Sequence, residues 1–200
     1  MALTLTAPPE RFRTERLLLR RWQVADAPAL KAALDRSVAH LQPWIPWTVA
    51  EPAPLPDIEA RIERFAADFD AGREWLYGIF LPDEGELLGG IGLYPRAESG
   101  RVPYELADRV EIGYWLRPDV TGRGYATEAT RALLGAAVLL RGVTCVEIRC
   151  DPRNERSAAV PRRLGFAHTH TLTGPSGAEG GEPVETMVWA YAAAADPPDA

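Results

Sequence analysis

A glycine-spaced loop between an apolar strand and an Ala/Leu helix constrains this chain more than any other stretch. Val110 to Leu116 (VEIGYWL) is a short apolar, aromatic run; a Pro118 turn follows, then Thr121-Gly122-Arg123-Gly124-Tyr125-Ala126, and a helix opens at about Tyr125 and runs toward Leu140. Gly122 and Gly124 remove Cβ atoms where a ligand would approach the backbone. The first helical turn directs unpaired N–H groups and a positive dipole end into the same loop. Arg123 adds a charge, so the loop is a candidate anion site. The plainer alternative is a tight strand-to-helix connection in which glycine serves only the turn.

The elements around this unit suggest how it is housed. Thr14 to Trp22 reads as a first strand, and Asp26 as the N-cap of a helix through Ala29, Leu30, Ala33 and Leu34, with Pro28 in its first turn. Two prolines forbid a regular element in His40 to Trp47, leaving Trp44 and Trp47 on a loop. Asp57 can cap a second helix whose Ile58, Ile62, Phe65 and Phe69 fall at helical spacing until Gly72. Trp75 to Leu81 and Leu87 to Tyr94 form a hairpin around Pro82 to Glu86, and residues 95–109 read as a polar loop. Beyond the central helix come a strand (Val143 to Cys150), a turn, a short helix (Glu155 to Leu164) and a final strand pair (His168 to Thr173, Val184 to Tyr191). This order predicts an α/β fold: a central mixed sheet flanked by helices, with a parallel crossover between Val110 and Cys150. Ligands bind at the carboxyl ends of strands in such sheets, where neighbouring strands part, and that rule alone places the glycine loop at the site.

Composition removes several classes of function. Two hundred residues, 46% hydrophobic and 25% charged, fit one globular domain, which we bound at residues 1–192 with a disordered tail at 193–200. A net charge of −6 argues against a nucleic-acid partner held by a broad basic face. No apolar run reaches membrane-spanning length and the N-terminus has no signal-peptide pattern, so a soluble cytoplasmic protein is expected. Cys145 and Cys150 would lie on opposite faces of a strand, and His40, His168 and His170 have no ligand spacing, so no metal is expected.

Thr121 to Ala126, followed by Thr127-Glu128-Ala129, resembles the acetyl-CoA pyrophosphate loop of the GNAT N-acetyltransferase superfamily, whose pattern is Gln/Arg-x-x-Gly-x-Gly/Ala. Gly124 and Ala126 match its fixed positions; Thr121 stands where Gln or Arg is usual. Asn154-Glu-Arg-Ser157 followed by Gly165-Phe166 is similar to the family's second signature, in the right order and at the right spacing. The start TERLLLRRW, the segment HLQPWIPW and the run EIGYWLRP extend the likeness toward the branch of ribosomal-protein N-terminal alanine and serine acetyltransferases, which also holds enzymes acting on small amines. The resemblance implies a GNAT-like acyl-CoA N-acyltransferase fold and acetyl-CoA as co-substrate, held by Thr121, Gly122, Arg123, Gly124, Tyr125 and Ala126. It further implies a pantetheine contact at Asn154, and an amine acceptor that is a protein N-terminus or a small molecule. A homodimer is among the assemblies it allows.

Transfer to an amine needs three things. The amine must lose its proton, the thioester oxygen must be stabilised as it becomes an oxyanion, and the thiolate must depart. Glu111 at the start of the central strand is the candidate base; its alternative is a solvated strand-end carboxylate. Oxyanion donors are expected from the backbone of Tyr114, Trp115 and Leu116, provided the strand splays from its neighbour. Many relatives carry a Tyr seven residues after the motif Asn, but Pro161 stands here, leaving Ser157 or water beside the leaving group. Asn154 and Ser157 also read as an N-cap and a first-turn residue bonded to backbone. Trp44 and Trp47 are candidates for an acceptor wall, or for a plug over the first two helices. The rival from another class is an acyl-CoA-binding regulatory module that has lost turnover, suggested by Pro161 and Thr121.

Overall fold

Burial sorts the strands into a nine-stranded sheet before any topology is traced. In the computed structural model, which describes residues 4–45, 52–83, 85–174 and 183–193, strand β3 (Trp75–Phe80) is buried at every position while β8 (Ala167–Gly174) is exposed along nearly its whole length. A central strand covered on both faces can be apolar throughout, whereas an edge strand rich in Thr and His can face water. The sheet runs β1 (Arg11–Arg13), β2 (Leu18–Arg21), β3, β4 (Leu87–Ala97), β6 (Arg109–Leu116), β7 (Cys145–Cys150), β9 (Val184–Ala192), β8, with β5 (Gly100–Arg101) hung on the end of β4. Of the named strand pairs only β6 and β7 are parallel, joined through helix α3 (Tyr125–Ala137). The mixed sheet and its parallel crossover are as expected from the sequence.

Helices cover both faces. Helices α1 (Ala27–Leu41) and α2 (Leu55–Asp70) bury Leu30, Leu34, Ile58 and Ile62 in one cluster with Leu18, Leu76 and Phe80 of the sheet. On the other face, α3 buries Ala129, Leu133 and Ala137 against Ile91, Ile112 and Val146, and Ala158 of α4 (Glu155–Arg163) joins the same cluster. Strand alternation therefore assigns each residue of β6 a side. Val110, Ile112, Tyr114 and Leu116 face α3 and α4, and Glu111, Gly113 and Trp115 face the side of α1 and α2.

Several local expectations change. The first strand is shorter than Thr14 to Trp22, because Thr14 to Leu17 form a bend, in which the Thr14 and Leu17 backbones bond at 2.9 Å, that turns the chain from β1 into β2. Asp26 does not cap α1 with its side chain. Its carboxylate accepts two 2.7 Å hydrogen bonds from Arg20 and one from the Gln23 N–H, and both Arg20 and Asp26 are buried. Helix α2 opens at Leu55 behind Pro54, so Asp57 lies in its first turn rather than at the cap, still close enough to favour the positive helix end. The polar loop at 95–109 is largely ordered: β4 continues to Ala97, β5 folds back on it, and a 3₁₀ turn (Tyr104–Leu106) leads into β6.

Candidate active site

The site begins where two strands part. Strands β6 and β7 pair only through Arg109↔Cys145, Val110↔Val146 and Glu111↔Glu147, while β6 stays paired with β4 as far as Gly89↔Leu116. From Ile112 to Leu116, β6 thus has a neighbour on one side only, and the stretch expected to supply oxyanion donors, Tyr114 to Leu116, lies entirely beside the gap. The Leu116 side chain is buried in the core, and Trp115 packs against the opposite cluster, so what these two offer a ligand at the gap is backbone. Glycine on β4 makes that packing fit: a Cβ at Gly90 would stand 2.6 Å from the Trp115 indole nitrogen.

The chain leaves the gap through a 3₁₀ turn (Pro118–Val120) into the glycine loop. Gly122 and Gly124 have φ of 78° and 82°, the left-handed region that glycine enters without steric cost, and Gly124 is the N-cap of α3. No side chain caps this helix, so its first N–H groups face the loop, and nothing stands within 4 Å of a Cβ placed on Gly122. Three guanidinium groups surround this cradle. Arg123 is on the loop; Arg156, at the start of α4, reaches Thr121 Oγ1 at 3.4 Å; and Arg16 donates to the Arg123 carbonyl at 3.0 Å while its guanidinium carbon lies 4.9 Å from the centre of the Tyr125 ring.

Arg16 belongs to a clamp. Glu128, one turn into α3, accepts from Thr14 Oγ1 (2.6 Å), from the Arg16 N–H (2.9 Å) and from Arg16 Nε (2.7 Å). Burial pushes the Glu128 carboxyl up, but the hydrogen bonds from Thr14 and Arg16 outweigh it and hold the group below its ordinary value. The bend between β1 and β2 is thereby fastened to the helix end that forms the anion cradle.

Past the loop, α4 forms the other wall. Asn154 is its N-cap, accepting from the Ser157 N–H at 3.1 Å, so the plain capping reading holds, and only Oδ1 is used in that bond. Tyr114 reaches across from β6: its hydroxyl donates to the Ser157 carbonyl oxygen (3.0 Å) and lies 3.2 Å from Ser157 Oγ. Burial raises the Tyr114 hydroxyl well above the ordinary tyrosine range, so it is a protonated donor at neutral pH.

On the opposite side of β6, Glu111 sits at the last paired position before the gap. Its Oε2 is ion-paired with Arg96 and lies 3.9 Å from Arg149 Nε; Oε1 has no hydrogen bond among the described residues. Glu147 continues the row, bound by Arg149 (2.8 Å) and Arg109 (3.1 Å). Trp44 lies in the turn after α1, partly exposed, and Trp47 lies outside the described residues. His40, near the end of α1, is lowered from its ordinary value by burial and by the charge of Arg156, which puts the end of α1 close to the start of α4. Sequence reasoning missed Arg16, Arg156, Arg96 and Arg149 as site residues. No local pattern marks them: Arg16, Arg156 and Arg96 take their partners from other elements, and Arg149, paired with Glu147 on its own strand, meets Glu111 only across the sheet.

Residues 16–167 match the acetyltransferase (GNAT) domain family. Among curated relatives, YdaF of Bacillus subtilis (strain 168), whose name proposes a ribosomal N-acetyltransferase, is 35% identical over 83 residues, 42% of this chain and 42% of its own length. The uncharacterized N-acetyltransferase YoaA of the same organism is 26% identical over 153 residues, 76% of this chain and 80% of its own length. Among solved structures, RimL, a ribosomal alpha-N-protein acetyltransferase in complex with coenzyme A, superposes with a TM-score of 0.77 at 20% identity, covering 92% of this chain and 98% of that one. A microcin self-immunity acetyltransferase, MccE, in complex with acetyl-CoA and AMP, gives 0.75 at 18% identity, covering 96% and 98%.

Proposed function

Because this chain belongs to the GNAT acetyltransferase family, we propose that it transfers the acetyl group of acetyl-CoA to a primary amine by direct attack on the thioester, with residues 1–192 acting as one domain. The observation that carries this reading is the gap between β6 and β7, which opens beside an uncapped helix end ringed by Arg16, Arg123 and Arg156. Backbone N–H groups at Arg123 to Ala126 hold the pyrophosphate, with Thr121 and Gly122 lining its approach. The pantetheine arm runs into the gap past the amide N–H₂ of Asn154. The thioester oxygen takes hydrogen bonds from gap-facing N–H groups in Tyr114 to Leu116 as it becomes negative. The amine comes from the α1 and α2 side, losing its proton through water to Glu111 Oε1. The C–N bond forms, the now cationic nitrogen gives its surplus proton to water, the C–S bond breaks, and the electron pair leaves on the sulfur beside Ser157; the thiolate takes a proton from solvent to become the free thiol. Acceptors are protein N-termini or small amines.

Release of free CoA thiol from acetyl-CoA, followed across a panel of N-terminal peptides, amino acids and small amines, tests the reading directly. A module that binds acyl-CoA without turnover, the alternative suggested by Pro161 and Thr121, gives acetyl-CoA binding with no amine-dependent thiol release.

Two variants place the ligands. Gly124→Val puts a β-branched residue at φ 82° with a Cβ 3.4 Å from the Arg16 guanidinium, and should weaken acetyl-CoA binding by about 10–100-fold in a calorimetric titration. A folded variant with unchanged affinity would place the pyrophosphate elsewhere. If Trp44 walls the acceptor side, Trp44→Ala should raise the acceptor's KM about tenfold and leave acetyl-CoA affinity unaltered. Equal weakening toward both ligands together with a lower melting temperature would make Trp44 a plug.

A further inference from the structure

Proline inside a helix leaves a debt at the carbonyl four residues earlier, and in α4 that carbonyl is Ser157. Pro161 is buried in the helix and has no N–H to donate back. The donor that reaches this carbonyl from outside the helix is the Tyr114 hydroxyl, at 3.0 Å. Tyr114 can do so because of where it lies in the sheet. It is three residues beyond the last β6–β7 pair, in the part of β6 that has left its neighbour, and it points to the face on which α4 packs. The same hydroxyl lies 3.2 Å from Ser157 Oγ. All three polar groups of Ser157 therefore have partners: its N–H donates to Asn154, its carbonyl accepts from Tyr114 and, with the Tyr114 proton so used, its hydroxyl donates to the Tyr114 oxygen.

We propose that Tyr114 is a positioning residue for the leaving-group side of the transfer: its hydroxyl replaces the N–H that Pro161 lacks, fastens the first turn of α4 across the gap to β6, and aims Ser157 Oγ at the departing sulfur. This rests on the acetyl-transfer reading above. A helix whose first turn holds Asn154 and Ser157 against one side of the cofactor gap must not drift, and an unpaired Ser157 carbonyl would favour a kink at that point. Tyr114 itself need not release a proton. The electron pair of the broken C–S bond stays on sulfur, where the Ser157 hydroxyl, turning its one proton away from the Tyr114 oxygen, donates a hydrogen bond to it.

The experiment is a cycle of Tyr114→Phe, Pro161→Ala and the double variant, each also in a Ser157→Ala background. Thermal unfolding without substrate reads the carbonyl bond whether or not the acetyl-transfer reading holds. Tyr114→Phe should lower the melting temperature by roughly 2–6 °C, and Pro161→Ala should raise it more in the Tyr114→Phe background than in the wild type, since only there is the restored N–H needed. Thiol release reads the chemistry: Tyr114→Phe should lower kcat by about 5–20-fold with the KM for acetyl-CoA unchanged, and Pro161→Ala should recover most of that loss. With Ser157 already Ala, Tyr114→Phe should have no further effect on kcat, an absence of additivity that a purely structural defect would not produce. Equal gains from Pro161→Ala in both backgrounds would overturn the carbonyl role. A kcat loss that persists in a double variant of restored stability, or that is undiminished in Ser157→Ala, would overturn positioning through Ser157 and make the Tyr114 hydroxyl itself the group at the sulfur. If wild-type protein releases no thiol with any amine, the acetyl-transfer reading fails while the unfolding arm still decides the bond.

Discussion

Glu111→Gln should bind acetyl-CoA as the wild type does and lose kcat by roughly 10²–10⁴-fold, the usual worth of a general base. The cause is chemical: an acceptor amine is mostly protonated at neutral pH, and a protonated amine cannot attack. Glutamine keeps the shape and can still accept a hydrogen bond from Arg96, but it cannot take a proton. The loss should shrink at high pH, where free amine accumulates without help. The ion pair with Arg96 does not conflict with this role, since it engages Oε2 and leaves Oε1 without a hydrogen bond among the described residues, on the last β6 residue before the gap. A variant with kcat within about threefold of wild type, and an acidic limb of its pH profile unchanged, would leave solvent as the proton acceptor. Glu111 would then be an interstrand ion-pairing group between Arg96 and Arg149.

Asp26→Ala carries the largest expected loss of stability. Asp26 and Arg20 have side-chain exposures of 10% and 7%, and removing the carboxylate takes the bidentate counter-charge from a buried guanidinium that lies 4.1 Å above the Phe80 ring centre and also bonds to the Arg21 carbonyl at 3.2 Å. Breaking such a pair from one side costs about 3–5 kcal/mol, which in a protein of this size lowers the melting temperature by roughly 6–20 °C. A side-chain cap would contribute only about 1 kcal/mol. The magnitude therefore tells the two roles apart, and a drop of only about 2–4 °C would return Asp26 to the capping role read from the sequence. Exchanging both partners for apolar residues should cost less than removing Asp26 alone, because no charge is then left behind. Kinetic constants measured well below the transition should change little, as the pair lies beneath α1 and away from the gap.

What could be read in advance was whatever the chain encodes locally. The unit from Val110 to Ala137, the hairpin of β3 and β4, and the Ile58, Ile62, Phe65, Phe69 stripe, of which Phe65 is half-buried, follow from periodicity and turn chemistry, and each lies close to where the sequence puts it. Asp26 shows the limit of that approach. Next to a proline-led helix it has every local mark of a cap, but the guanidinium six residues earlier is a stronger partner once both are buried. Arg16 and Glu128 show the limit more plainly, since both stood in stretches already singled out and neither has any neighbour in sequence that points to the other. The sequence marks Tyr114 for its backbone, and its hydroxyl matters only because α4 lies across from it. In the sequence Pro161 signifies only the loss of a leaving-group acid, whereas the carbonyl it leaves unserved at Ser157 depends on the helix that α4 forms.

The clamp at Glu128 has a consequence for how the protein is made. Its partners Thr14 and Arg16 precede it by 114 and 112 residues, and Leu5 likewise bonds to Leu139 and Arg141 just beyond the end of α3. Contacts of such long sequence separation require closing most of the chain into one loop, and they form only after the intervening elements have given that closure something to rest on. On a ribosome, the first strands would emerge and wait while the hairpin of β3 and β4, and then β6, assembled beside them. Competence to hold a nucleotide should therefore arrive late in refolding, after most secondary structure has formed, with the earliest-synthesised residues among the last to find their partners.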